Sequence, residues 1–147
     1  MNHEDCIIDA AFTILKSRLN EACFSVANQK LAQTYLLHKL ILEEREVFGA
    51  LWLDVKMRLI HCEDIALGTL ARVCIYPREV VKSALKHNAA SVILYHNHPT
   101  GDAYPTDNDK IITAEIKDLL DIIDVKLLDH IIVAGTKVVS LANRGEL

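Results

Sequence analysis

The segment His96-Asn97-His98-Pro99-Thr100-Gly101, followed eleven residues after His98 by Asp109, carries residue types that hold a divalent metal ion. His96 and His98 follow directly on the apolar run ASVILY, which reads as a buried strand. Side chains at i and i+2 of a strand project to one face, so the two imidazoles converge. Pro99, Gly101 and Pro105 shape a turn that returns the chain beside the strand end, where a carboxylate from the first turn of the next helix supplies a third ligand. Imidazole nitrogen and carboxylate oxygen suit Zn²⁺, and three protein ligands leave the fourth tetrahedral position open for water, as catalytic zinc sites do. Thr106 with Asp109 also has the spacing of a helix capping box, which is compatible with a ligand role for Asp109. The joint pattern H-x-H-P-T-G-x-x-x-P-T-x-x-D arises by chance from ordinary residue usage with a probability well below ~10⁻⁶ per starting position.

The elements that must position these residues follow from the apolar periodicity. Ile7, Ala11, Ile14, Leu15 and Leu19 recur at helical spacing and predict an amphipathic helix over about residues 4–19. A second helix, capped near Asn28, carries Leu31, Tyr35, Leu36, Leu40 and Ile41 on one face. Beyond the charged cluster Glu43-Glu44-Arg45-Glu46, VFGALWLDV and LIHCEDIAL read as the two strands of a hairpin. RVCIY reads as a short strand, and Pro77 suits the first turn of a helix through Val80, Val81, Ala84 and Leu85. After ASVILY and the Pro/Gly/Asp-rich loop, Ile111, Ile112, Ile116, Leu119 and Leu120 predict another helix, and VKLLDHIIVAG and KVVSLA read as strands around a turn at Gly135. The expected fold class is therefore α/β, a mixed sheet flanked by helices, with a helical extension over residues 1–43 preceding the domain at 44–147.

Composition sets the outer bounds. A chain of 147 residues with 51% hydrophobic and 24% charged residues has the make-up of one globular domain. Cys6, Cys23, Cys62 and Cys74 are scattered, without a CxxC pair, and read as free thiols of a reducing cytoplasm. No apolar run reaches the ~20 residues of a membrane span, and Glu4 and Asp5 do not suit a signal peptide. A formal charge of −4 disfavours direct DNA binding, which rests on phosphate neutralisation. An HNH nuclease is excluded too, because that motif spreads its residues over a ββα element whereas His96-Asn97-His98 are contiguous. His3, His38, His61 and His87 lack ligand spacing and read as surface or packing residues.

The string from His96 to Gly101, with Pro105-Thr106 and Asp109, resembles the JAMM (MPN+) metalloprotease signature H-x-H-x7-S-x2-D in the form carried by the JAB domain of RadC-like proteins. REVFGALWLD at 45–54, YPREVVKSALKHNAASVIL at 76–94 and LLDHIIVAG at 127–135 are similar to the same family, so the resemblance covers about residues 44–147. With only about 43 residues ahead of it, the chain looks like a short form lacking the N-terminal helix-hairpin-helix region. The resemblance implies an α/β/α JAB fold, a zinc site of His96, His98, Asp109 and water, and a catalytic glutamate at the start of the first strand. That glutamate maps to Glu46, with Glu44 sharing its strand parity in reserve; its role is to take a proton from the attacking water and pass it to the leaving amine. The family's usual serine is Thr106 here, and Thr100 stands where serine is common; the Thr106 hydroxyl retains a donor for a tetrahedral oxyanion. The implied activity is hydrolysis of a peptide or isopeptide-like amide, against which stand a non-catalytic JAB scaffold and a DNA-processing accessory. Asp129-His130 also fits the family text, and its place beside Ile131 and Ile132 favours a structural hydrogen-bonding role over a ligand role.

Overall fold

The computed structural model describes residues 2–21, 26–70 and 72–147. Its elements run α1 (His3–Glu21), α2 (Val26–Leu40), β1 (Val47–Leu53), β2 (Leu59–Leu67), α3 (Pro77–Lys86), β3 (Ser91–Asn97), α4 (Asp107–Ile122), β4 (Lys126–Ala134) and β5 (Lys137–Ser140). The strands form one sheet of order β2-β1-β3-β4-β5, in which β3 and β4 are parallel and the other pairs antiparallel. The sheet is therefore mixed, as expected from the alternation of helices and strands.

All seven residues of β1 are buried, because helices cover both faces of the sheet. Val47, Leu51 and Leu53 join Ile93, Tyr95, Ile131 and Val133 under Leu19 of α1 and Ala32, Tyr35, Leu36 and Leu40 of α2. The alternate residues Phe48, Ala50 and Trp52 join Val92 and Leu94 under Val80 and Ala84 of α3 and Ile116 and Leu120 of α4. This period-2 division produces a three-layer α/β/α sandwich with a core on each side. The hairpin between β1 and β2 is closed by Asp54, whose Oδ1 accepts from the backbone amides of Lys56 and Arg58 at 2.8 and 2.9 Å. Gly49 is required by packing, since a Cβ there would overlap the Tyr95 ring.

Three local expectations need correction. RVCIY is extended but joins no sheet; Val73 and Ile75 face the core while Arg72, Cys74 and Tyr76 are exposed, so the alternation came from packing under an unpaired segment. Asn28 is not a cap: α2 already begins at Val26, and the residues just before it lie outside those described. Helix α1 exists, but Ile7 and Ile14 on its predicted face are 56% and 52% exposed, while Phe12, Leu15 and Leu19 pack inward. Among the described residues, no helix is long and apolar enough to cross a membrane. Cys6, Cys62 and Cys74 are free thiols, and Cys23 lies outside the described residues.

Candidate metal centre

The strand ASVILY continues through His96 as part of β3, and His98 follows just beyond its end, still held to β4 by donation from its backbone N–H to the Val133 carbonyl at 2.8 Å. The chain then turns sharply: the Gly101 N–H donates to the His98 carbonyl at 3.0 Å, and Gly101 takes a φ of +90°, which favours glycine. Thr106 caps α4. Its Oγ1 accepts from the Asp109 N–H at 3.1 Å, and Asp109 Oδ2 accepts from the Thr106 N–H at 2.8 Å, completing a reciprocal capping box. That box fixes Asp109 against the strand end. His96 Nε2 lies 2.8 Å from His98 Nε2 and 3.3 Å from Asp109 Oδ1, while His98 Nε2 lies 3.3 Å from Asp109 Oδ2.

The hydrogen bonds behind these groups set their tautomers. His98 Nδ1 is 2.7 Å from the Asp102 carbonyl, which only accepts, so Nδ1 carries the proton and Nε2 presents its lone pair. A longer chain performs the same task for His96. The Thr113 hydroxyl donates to the Asp109 carbonyl at 2.5 Å and must therefore accept from His130 Nδ1 at 2.6 Å. Complete burial, which disfavours the charged form, pushes the His130 pKa well down, so this imidazole is neutral and its Nε2 accepts from His96 Nδ1 at 2.7 Å. His96 Nε2 is thereby left bare as well. His130 is thus an orienting partner and not a ligand, as its apolar sequence neighbours indicated. Thr113 has no such signal in the sequence: it is a threonine in a helix whose role depends on the strand it faces.

Two imidazole lone pairs and a carboxylate at 2.8–3.3 Å repel one another unless a cation sits among them. The spacing suits zinc, because bonds of 2.0–2.1 Å in a tetrahedron separate the ligand atoms by about 3.3 Å. The electrostatics agree. Burial raises the Asp109 carboxyl, but the adjoining His96 and His98 imidazoles outweigh it and hold the group well below the usual carboxylate range. For His98, burial is likewise opposed, here by Asp109 and the Asp102 carbonyl, and the net shift is upward: the imidazole attracts a positive charge.

Glu46 lines the same cavity as His96, His98, Thr106 and Asp109. Partial burial raises its carboxyl pKa against the opposing pull of His96 and His98. Glu44, the reserve candidate, is exposed and borders a different surface region with Leu42, Glu43, Arg45 and Leu70. Thr100 is exposed on the loop beside the cavity. The main chain of Glu46 is fixed on both sides. Its own N–H and carbonyl pair with Thr69 and Gly68 at 2.7 Å, while Asn97 reaches across to the neighbouring residues. Asn97 Oδ1 accepts from the Val47 N–H at 2.7 Å and its Nδ2 donates to the Arg45 carbonyl at 3.0 Å. The residue between the two histidines, which sequence reasoning passed over, therefore ties the segment carrying Glu46 to the strand carrying His96.

Comparison with known proteins agrees with this architecture. The RadC-like JAB domain matches residues 26–146. A UPF0758 protein of Marinomonas sp. (strain MWYL1) is 48% identical over 127 residues, 86% of this chain and 56% of the relative. A UPF0758 protein of Stenotrophomonas maltophilia (strain K279a) is 52% identical over 113 residues, 77% of this chain and 48% of the relative. One of Bordetella pertussis is 41% identical over 145 residues, 97% of this chain and 64% of the relative. The chain thus spans about half the length of the curated relatives it matches. With the family match, the mixed sheet and the convergence of His96, His98 and Asp109 in agreement, the chain belongs to the RadC-like JAB domain family.

Proposed function

We propose that this chain is a zinc-dependent hydrolase of amide bonds in peptides or isopeptide-linked conjugates, with His96, His98 and Asp109 holding the metal. The observation that carries this reading is the convergence of three electron-rich groups, each oriented from behind, in a cavity that also contains Glu46 and Thr106. A zinc ion held there would supply Lewis acidity and make water acidic near neutral pH. Glu46 takes the proton of the attacking water and returns it to the leaving nitrogen, a task suited to a carboxylate raised by burial. Thr106 Oγ1 spends a lone pair on the Asp109 amide, which leaves its hydroxyl proton free to donate to the carbonyl oxygen as negative charge develops.

An extended peptide suits the site because the segment 72–76 forms one wall of the cavity region and stays out of the sheet. Among the described residues, Cys74 and Ile75 make no backbone–backbone hydrogen bond, so their main chain offers a template for a substrate strand, while the Val73 backbone bonds to the Glu46 carboxylate. Free Cys6, Cys62 and Cys74 support action in the reducing cytoplasm.

The test pairs metal analysis with a panel of peptides and isopeptide-linked conjugates. Wild type should hold about one zinc at this centre and cleave a member of the panel. Glu46→Gln should keep the zinc and lose about 10²–10⁴-fold in rate; His96→Ala should lose zinc and activity together. Zinc-loaded wild type that cleaves no member of the panel would overturn the hydrolase reading in favour of a scaffold.

A further inference from the structure

His61, Glu63 and His87 carry no motif, yet the fold gathers them. His61 and Glu63 are two residues apart on β2, the edge strand, and His87 is the C-cap residue of α3 on the same side of the sheet. One possible ligand atom from each lies within 4.8 Å of those of the other two. The His61 and His87 rings stack with centroids 4.7 Å apart, and His87 Nε2 is 3.4 Å from Glu63 Oε1. That nitrogen is buried and has no hydrogen bond of acceptable geometry, so its polar capacity is unspent although a carboxylate lies beside it. His87 itself is held in place, because its backbone N–H donates to the Ser83 carbonyl at 3.0 Å and the following Asn88 N–H donates to the Leu85 carbonyl at 3.1 Å, closing the end of α3.

We propose that His61, Glu63 and His87 form a second metal site, specific for a late first-row divalent ion such as Zn²⁺, Ni²⁺ or Cu²⁺. Two imidazoles and a single carboxylate favour these ions over Mg²⁺ and Ca²⁺, which demand oxygen-rich shells. A tetrahedral site needs ligand atoms about 3.3 Å apart. The pair His87–Glu63 already meets that spacing, and His61, the exposed member, closes the remaining distance by side-chain rotation. Glu63 Oε1 also accepts from the Trp52 indole N–H at 3.0 Å, and a carboxylate oxygen has a second lone pair to offer the ion. Binding clamps the edge strand to the C-terminal end of α3. The site is separate from the first: Trp52 pairs with His61, whereas Phe48 pairs with His96, four residues along the same strand and therefore roughly 13 Å away.

Trp52 is the chain's single tryptophan and reports on this site directly, being bonded to Glu63 and stacked on His87 with ring centroids 6.4 Å apart. The experiment titrates NiCl₂ or CuSO₄ into protein already loaded with one equivalent of zinc and follows Trp52 fluorescence. The expected result is saturable quenching with a stoichiometry of one, competed by excess Zn²⁺. In His61→Ala, which alters an exposed side chain, the apparent Kd should rise at least about tenfold, since losing a group that touches the ion costs no less than the about 10–100-fold lost on removing a residue that only orients one. Glu63→Gln keeps an acceptor for Trp52 and should also weaken binding, which separates a ligand from a packing partner. His96→Ala should retain the quenching. Absence of saturable quenching in wild type, or equal quenching in wild type, His61→Ala and Glu63→Gln, would overturn the proposal.

Discussion

The two histidine clusters offer the same donors, two imidazoles and a carboxylate, but differ in what stands behind them. At the end of β3, His98 Nδ1 is committed to the Asp102 carbonyl, His96 Nδ1 to His130, His130 to Thr113, and Asp109 to the cap of α4. At the sheet edge, Glu63 is shared with Trp52, His87 leaves a buried nitrogen unbonded and His61 is exposed. The first cluster is preorganised, so a metal arriving there loses little free energy to ordering. The second must gather its ligands, and it should hold metal more weakly and exchange it faster. The donor types are common to both; the difference lies in the hydrogen bonds behind them, which at a metal site orient ligands and tune affinity.

The largest test of that difference targets Asn97. Asn97→Ala leaves the buried Val47 N–H and the Arg45 carbonyl without their partner, at a cost of about 1–3 kcal/mol for each group left unsatisfied. Urea unfolding should register the loss, and kcat should fall because Glu46 is no longer held, while Trp52 quenching by Ni²⁺ stays as in wild type. Equal damage at both clusters would show that the variant disturbs the sheet as a whole.

Next in size is Thr113→Val, which keeps the shape but removes the group that accepts from His130. Zinc affinity at the first cluster, measured by competition with a chelator, should fall about 10–100-fold with no change at the second. Affinity unchanged at the first cluster would remove preorganisation as the explanation of the contrast.

Thr106→Ala should destabilise the protein by about 0.5–2 kcal/mol through loss of the α4 cap, read from thermal or urea unfolding, and should lower hydrolysis as well. Thr106→Ser retains both the cap and the donor and should behave like wild type in both measurements. The smallest expected signal is DNA binding. With a formal charge of −4, two cation sites should coexist with weak duplex affinity that disappears at physiological salt, as a fluorescence anisotropy titration would register. Submicromolar, salt-resistant binding would give the DNA-processing alternative its support.

The contrast also explains what could be read from the sequence. His96, His98 and Asp109 were legible because strand alternation and a short capped turn are local, and the β1–β2 hairpin for the same reason. RVCIY misled because alternation records which side chains are inward, not whether a backbone partner is available. The face of α1 misled because Ile7 and Ile14 follow helical spacing as well as Phe12 does, and only the position of α2 and the sheet selects between them. His130, Thr113 and Asn97 gained their roles from partners 17 to 52 residues away. His61 and His87 are 26 positions apart in the chain, so no spacing rule could have paired them.

Asn97 also limits how this region can change over evolutionary time. Because consecutive strand residues point to opposite faces, the tripeptide His96-Asn97-His98 works as a ruler: two marks face Asp109 and the one between them faces the neighbouring segment. Inserting or deleting one residue within it would exchange those assignments, turning an imidazole toward Val47 and the amide toward Asp109. Substitution is a small step at Thr106 or Thr100, where only a hydroxyl or a methyl is at stake. A change of length between His96 and His98 has no such intermediate, so variation in descendants of this chain should accumulate in the loop from Pro99 to Tyr104 and leave the spacing of the tripeptide intact.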